Sequence, residues 1–242
     1  MKVLSIDLDY FMSPTIELYN SLLYDRNPSV RWKKLFDNTH FKENHLIIDQ
    51  SNLLFCFDVF LKALKNCDNV SFGYEHDAIL YGVKNFSSID LINIDHHDDV
   101  LGGDYANEIN YHDALSKEYD EVVKFEKVHE GNWISWLASH NKINSCVWIG
   151  SENSLSKDKN YFNEKIIPNY TNVEKEEYKF KNYDFDFIFV CLSPQYVPKN
   201  HWHYFKMFIS TYEHFKQKDA IIINRKHEHE IRYSKLNNEI LY

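Results

Sequence analysis

The chain has 242 residues, a formal net charge of −9, 44% hydrophobic residues and 16% aromatic residues. That length and apolar content suffice for one large α/β domain with a real core, and they argue against a chain left disordered for want of hydrophobic side chains. The acidic balance argues against a nucleic-acid surface and favours a cationic ligand beside an acidic cleft.

From the N-terminus, Met1-Lys2 leads straight into the apolar run Val3 to Ile6, without the charged-then-apolar layout of a secretion signal. Further runs follow at Leu46 to Ile48, Val70 to Phe72, Ile89 to Ile94, Cys146 to Ile149, Phe187 to Leu192 and Ala220 to Ile223. They are short, nearly continuously apolar and rich in Val, Ile and Phe, the pattern of strands covered on both faces in a parallel sheet. Helical spacing lies between them, most clearly over Asn52 to Leu64, Asp77 to Val83, Trp133 to Ser139 and Trp202 to Phe215. The alternation predicts a single three-layer α/β/α domain over residues 1–242 with a mainly parallel sheet. Residues 102–130 and 154–183 are polar and weakly periodic, and read as long insertions over the sheet of the kind that form lids or binding loops. No apolar run approaches the roughly 18 residues of a membrane helix, so a cytoplasmic protein with no membrane partner is expected.

Glycine occurs six times and forms neither GxGxxG nor GxxxxGK[ST], which sets aside dinucleotide and P-loop chemistry. The four cysteines, Cys56, Cys67, Cys146 and Cys191, form no CxxC pair. They read as small buried hydrophobes rather than disulfide partners.

Two strand ends are unusually acidic. Ser5-Ile6-Asp7-Leu8-Asp9 closes the first run, and Asn93-Ile94-Asp95-His96-His97-Asp98-Asp99 closes the fourth. Ligands of open α/β sheets bind at the carboxyl ends of strands. Alternate strand residues share a face, so Asp7 and Asp9 can converge, as can Asp95, His97 and Asp99, while His96 and Asp98 turn away. Carboxylates gathered this closely raise each other's pKa unless a cation neutralises them. An oxygen-rich set with one or two imidazoles suits Mn²⁺ better than structural zinc. Asp49 ends another run, as a helix cap or a group supporting the site. A DxD alone is commonly a cap or turn; two of them, each closing an apolar strand, point to a metal site. His227 to Glu230 reads as a solvated face, and His201 and His203 as surface or pocket residues near position 195.

The Asp95–Asp99 segment resembles the DxHxD motif of arginases and other ureohydrolases, and Ser5 to Asp9 resembles their SxDxD motif. Gly73-Tyr74-Glu75-His76-Asp77 resembles the segment carrying their remaining histidine ligand. Glu130-Gly131-Asn132-Trp133-Ile134 and Leu192-Ser193-Pro194-Gln195-Tyr196-Val197-Pro198 resemble the peptide arginase branch. The resemblance implies an arginase/deacetylase-like fold and two Mn²⁺ ions per chain held by Asp7, Asp9, His76, Asp95, His97 and Asp99. It implies an arginine-containing peptide as substrate, converted to ornithine and urea in maturation of a ribosomally made peptide. Asp99 and Asp9 would move protons, and Gln195, Asn132 and Glu75 would contact substrate.

Three departures accompany it. SxDxD precedes DxHxD, as in a circularly permuted chain whose first strand is inserted centrally in the sheet. Ile134 stands where arginases carry a proton-shuttling histidine, leaving His96 and His129 as candidates. Gln195 stands where a glutamate is expected to pair with the guanidinium, so the chain is either naturally altered or an inactivated variant. The alternatives are a ureohydrolase or deacylase acting on a free small molecule, and an inactive peptide-binding protein. Oligomeric state is not legible.

Overall fold

The structure is a computed structural model that describes residues 1–13, 28–38, 42–100, 128, 130–152, 154 and 167–223. The strands are β1 (Lys2–Asp7), β2 (Met12–Ser13), β3 (Ile47–Ile48), β4 (Val70–Gly73), β5 (Ile89–Ile94), β6 (Ile143–Ile149), β7 (Tyr170–Val173), β8 (Phe187–Cys191) and β9 (Ile221–Ile223). The helices are α1 (Pro28–Asn38), α2 (Gln50–Leu64), α3 (Ile79–Val83), α4 (Trp133–Ser139) and α5 (His203–Lys216).

Seven strands form one sheet in the order β7-β6-β5-β1-β8-β4-β9, and every pairing in it is parallel. The N-terminal strand is therefore central. Alternation along β1 explains why the sheet is covered on both sides. Leu4 and Ile6 join Ile188 and Val190 in a core closed by α1, α2 and α5. Val3 faces the other way, where Leu91, Phe187 and Phe189 meet α3 and α4. Burying both faces is what makes these strands read as continuous apolar runs, and the result is a three-layer α/β/α arrangement.

Two expectations are corrected. Leu46 to Ile48 is not a strand of the main sheet: Ile47–Ile48 pairs antiparallel with Met12–Ser13 in a separate ribbon. Ile47 is 59% exposed, and the run ends at Asp49, whose carboxylate accepts from Asn52 N–H at 3.0 Å and caps α2. Residues 154–183 are not wholly an insertion, because Tyr170–Val173 forms β7 beside β6. Only Tyr170 of this strand is buried, so the hydrophobic signal was too weak to mark it. α1 was also not anticipated; Trp32 and Leu35 enter the core with Phe36 packed against it, too few apolar positions to mark the helix. The four cysteines are buried and unpaired with one another. Among the described residues no helix is long and apolar enough to cross a membrane. His129, His227 to Glu230 and nearly all of 102–130 lie outside the described residues.

Because all strands of the sheet are parallel, β1, β4, β5 and β8 deliver their carboxyl ends to one edge. α3 packs back along the sheet by close contact: a Cβ on Gly82 would overlap the ring of Phe187, the first residue of β8, at the opposite edge. Gly82→Ala should lower the free energy of unfolding by about 1–3 kcal/mol through overpacking, despite the gain of about 1 kcal/mol in helix propensity. Urea denaturation checks this, and a variant more stable than the parent would contradict the packing.

Candidate metal centre

Asp7 is the last residue of β1, and Asp9 lies in the 3₁₀ turn Leu8–Phe11 that follows. The two carboxylates converge through that turn rather than along a continuing strand. Asp9 N–H donates to Asp7 Oδ1 at 3.1 Å. On the neighbouring strand, β5 stops at Ile94, so Asp95, His97 and Asp99 lie in the loop beyond it. Their gathering likewise owes nothing to strand alternation. Asp99 adopts a left-handed backbone with φ of 53°, a strain of the kind retained at functional sites.

His76 opens the 3₁₀ turn after β4 and is 1% exposed. Its Nδ1 lies 2.9 Å from Asp95 Oδ2, 2.9 Å from Asp99 Oδ2 and 3.1 Å from Asp7 Oδ2. Three carboxylate oxygens thus surround one nitrogen, yet none sits where it would make a hydrogen bond. One ring nitrogen could serve only one of them in any case. These spacings match neighbouring ligands at right angles around a cation with bonds of about 2.1 Å, which lie about 3.0 Å apart. On the other side, His97 Nδ1 is 2.9 Å from Asp9 Oδ2 and 4.0 Å from Asp95 Oδ1.

The donors form two groups, Asp7–His76–Asp95 and Asp9–Asp95–His97, each with ligand atoms close enough to hold one cation. Asp95 belongs to both, with Oδ2 turned to His76 and Oδ1 to His97. Asp99 stands beside the first group through its contact with His76. Carboxylates with imidazoles fit a divalent cation of intermediate hardness, so the residues present suit the group that the motifs imply.

Surrounding residues fix the donors, as orienting partners of metal ligands do. Ser5 Oγ lies 2.6 Å from His76 Nε2, leaving Nδ1 for the cluster. Trp133 Nε1 donates to Asp99 Oδ2 at 2.5 Å, and Asn93 Nδ2 donates to Asp95 Oδ2 at 3.3 Å. Ser193, itself left-handed with φ of 48°, donates its hydroxyl to Asp7 Oδ2. Sequence reasoning gave these four no role. Ser5 and Asn93 each sit two residues before a candidate ligand, and Trp133 and Ser193 lie in the two segments singled out by resemblance, so each had a signal without a role assigned to it.

His96 is buried, but its Nδ1 is 2.6 Å from Ser151 Oγ while its backbone N–H donates to Asp9 Oδ1 at 3.3 Å. Its ring is thus turned from the carboxylates toward a serine pair. Asn132 is buried at the start of α4. Gln195 Nε2 donates to Glu75 Oε1 at 3.4 Å. His201 Nε2 is 3.1 Å from Leu46 O and His203 Nδ1 is 2.8 Å from Asn200 O, ordinary packing roles near the loop that carries Gln195. Comparisons with protein-family models, curated proteins and solved structures find no match.

The crowded carboxylates shift one another's ionisation, which a bound cation would relieve. Burial, then the charges of Asp7 and Asp95, push Asp9 up to about 7. Burial, then the charges of Asp99 and Asp7, push Asp95 up to about 7. Burial also raises Asp99. Burial would lower His76, but the charges of Asp99 and Asp95 outweigh it and hold the imidazole well above its usual value. Burial opposes ionisation of Asp7 too, and there His76 prevails and lowers it.

Without metal, Asp9 and Asp95 keep protons up to about pH 7 that the unfolded chain releases near pH 4. The folded state then binds more protons, so its stability falls as pH rises from about 4 through 7. Metal binding needs the deprotonated ligands and strengthens over the same interval. The melting temperature of chelator-treated protein should fall between pH 5 and pH 8, and added Mn²⁺ should stabilise progressively more. A metal-free melting temperature that is flat or rises across this interval would contradict the assignment.

Proposed function

We propose that the chain is a dinuclear manganese hydrolase that converts arginine side chains of a peptide to ornithine with release of urea, in maturation of a ribosomally made peptide. The carrying observation is Asp95, whose two oxygens are divided between two Asp/His groups at the carboxyl edge of a parallel sheet. The motif resemblance and the net charge of −9 support a cationic substrate. Asp7, His76, Asp95 and Asp99 would hold one ion, and Asp9, Asp95 and His97 the other. When bound, the two ions lower the pKa of a water toward neutrality and polarise the substrate.

The oxygen of water joins the guanidinium carbon, the bond from that carbon to the side-chain nitrogen breaks, and the nitrogen leaves as the ornithine amine. Charge is conserved, since one cation enters as guanidinium and one leaves as ammonium. The proton from water must reach the departing nitrogen. Asp9 and Asp99 would carry it, and Trp133 Nε1 donates to Asp99. Ile134 is fully buried in the core beneath the sheet, so that position offers no proton carrier. His96 contributes its N–H to Asp9.

A second reading, a peptide-binding protein without turnover, is favoured by Ile134 and by the neutral amide at Gln195. Mass spectrometry of an arginine peptide incubated with Mn²⁺-loaded protein separates the two. The enzyme should reduce the peptide mass by urea less water for each converted arginine, leave free arginine untouched and lose this activity in Asp95→Ala. Unchanged peptide with the metals bound would reject the hydrolase reading. Conversion of free arginine would point instead to a small-molecule ureohydrolase.

A further inference from the structure

The candidate ligands Asp95 and His97 are joined by two peptide groups, each a rigid plane, and both planes are held at both ends. In the first, Trp148 Nε1 donates to Asp95 O at 3.0 Å and the N–H of His96 donates to Asp9 Oδ1 at 3.3 Å. In the second, Ser154 Oγ donates to His96 O at 2.6 Å and the N–H of His97 donates to Asp95 Oδ1 at 2.9 Å. The N–H ends thus orient two carboxylates of the group Asp9–Asp95–His97. The carbonyl ends are fixed from β6 and the loop that follows it.

That loop reaches the second plane with a pair of buried serines, Ser151 and Ser154. A carbonyl oxygen only accepts, so the one hydroxyl proton of Ser154 goes to His96 O. Ser154 Oγ in turn accepts from the N–H of Ser151 at 3.1 Å, and the N–H of Ser154 donates to Ser151 O at 3.0 Å. Ser151 Oγ lies 2.6 Å from His96 Nδ1, and the His96 ring stands edge-on to the His97 ring with centroids 4.9 Å apart. The pair therefore grips His96 by its carbonyl and by its ring, and both grips lead to His97. The contacts that hold the other group come from elsewhere: Ser5 on β1 for His76, Ser193 after β8 for Asp7 and Trp133 on α4 for Asp99.

We propose that Ser151 and Ser154 are positioning residues for one cation alone, the one that Asp9, Asp95 and His97 would hold. This rests on the two-cation reading given above. Without the Ser154 hydroxyl the His96–His97 peptide loses its carbonyl anchor, and with it go the aim of Asp95 Oδ1 and the placement of the His97 ring. Asp95 Oδ2 keeps its contacts with His76 and Asn93, so the neighbouring group stays intact. His96 then needs no place among the ligands, because it is the residue through which the pair sets them.

Stepwise Mn²⁺ affinities of the full-length protein are measured by titration, with free Mn²⁺ followed by its electron paramagnetic resonance spectrum. The parent should bind two ions. Ser154→Ala should weaken one of them by about 10–100-fold, the usual effect of removing a partner that orients a ligand, and leave the other within about threefold. Ser151→Ala keeps the Ser154 donation and should weaken the same ion by a smaller factor. His97→Ala should lose that ion, and adding Ser154→Ala to it should not change the remaining one. Ser145→Ala removes a hydroxyl bond to Asp90 in the amino-terminal half of β6 and should change neither. Equal weakening of both ions in either serine variant, or no weakening at all, makes the pair a structural support of the loop and overturns the proposal while the two-cation reading stands. A further effect of Ser154→Ala in the His97→Ala background does the same. A parent that binds fewer than two ions removes that reading and the proposal with it.

Discussion

Four buried carboxylates, Asp7, Asp9, Asp95 and Asp99, press against one another around His76 and His97, and the rest of the structure is arranged to keep them there. Placing ionised groups together in a low-dielectric interior is costly unless opposite charge or protons compensate them. The raised values at Asp9 and Asp95 are the metal-free compromise. Divalent cations offer a better one, because they meet the crowded charge and permit full ionisation. The contacts of Ser5, Asn93, Trp133 and Ser193 with the donors make sense in those terms, since each holds a donor in an orientation that repulsion alone would not select.

The sheet supplies the other half of the constraint. Parallel strands send their carboxyl ends to one edge, and the order β5-β1-β8-β4 brings four of those ends side by side. The residues that could hold a metal then come from the end of β1 and from the loops after β1, β4 and β5, with the supporting Ser193 from the loop after β8. Position in the sheet matters to such a centre and position in the chain does not. That is why a first strand inserted at the middle of the sheet can deliver Asp7 and Asp9 to the same place that the loop after β5 delivers Asp95. The left-handed backbones of Asp99 and Ser193 fall where these loops must turn sharply toward the cluster.

Much of this was legible in the sequence because burial on both faces leaves a strong mark. β5 and α4 have the anticipated bounds, and β1, β4, β6 and β8 depart by a few residues at most. Where burial is one-sided or slight the mark fades. β7 escaped notice because three of its four residues are not buried. β3 was placed in the wrong sheet because a short apolar run does not tell which partner it meets. The acidic residues were found as candidates, yet the reason given for their convergence was wrong at both motifs. Strand alternation was invoked, whereas the 3₁₀ turn after β1 and the irregular loop after β5 bring them together. His76 reaches the cluster from β4, beyond the nearer neighbour β8, a placement that no local pattern encodes. The contacts of Trp133 with Asp99 and of Gln195 with Glu75 are of the same long-range kind.

The central claim is that Asp95 is shared by two cations. The most direct measurement is anomalous X-ray scattering at the manganese edge from crystals grown with Mn²⁺. The account predicts two peaks about 3.5–4 Å apart, one on each side of the Asp95 carboxylate, with His76 at one and His97 at the other. A single peak, or manganese bound away from Asp95, would contradict it.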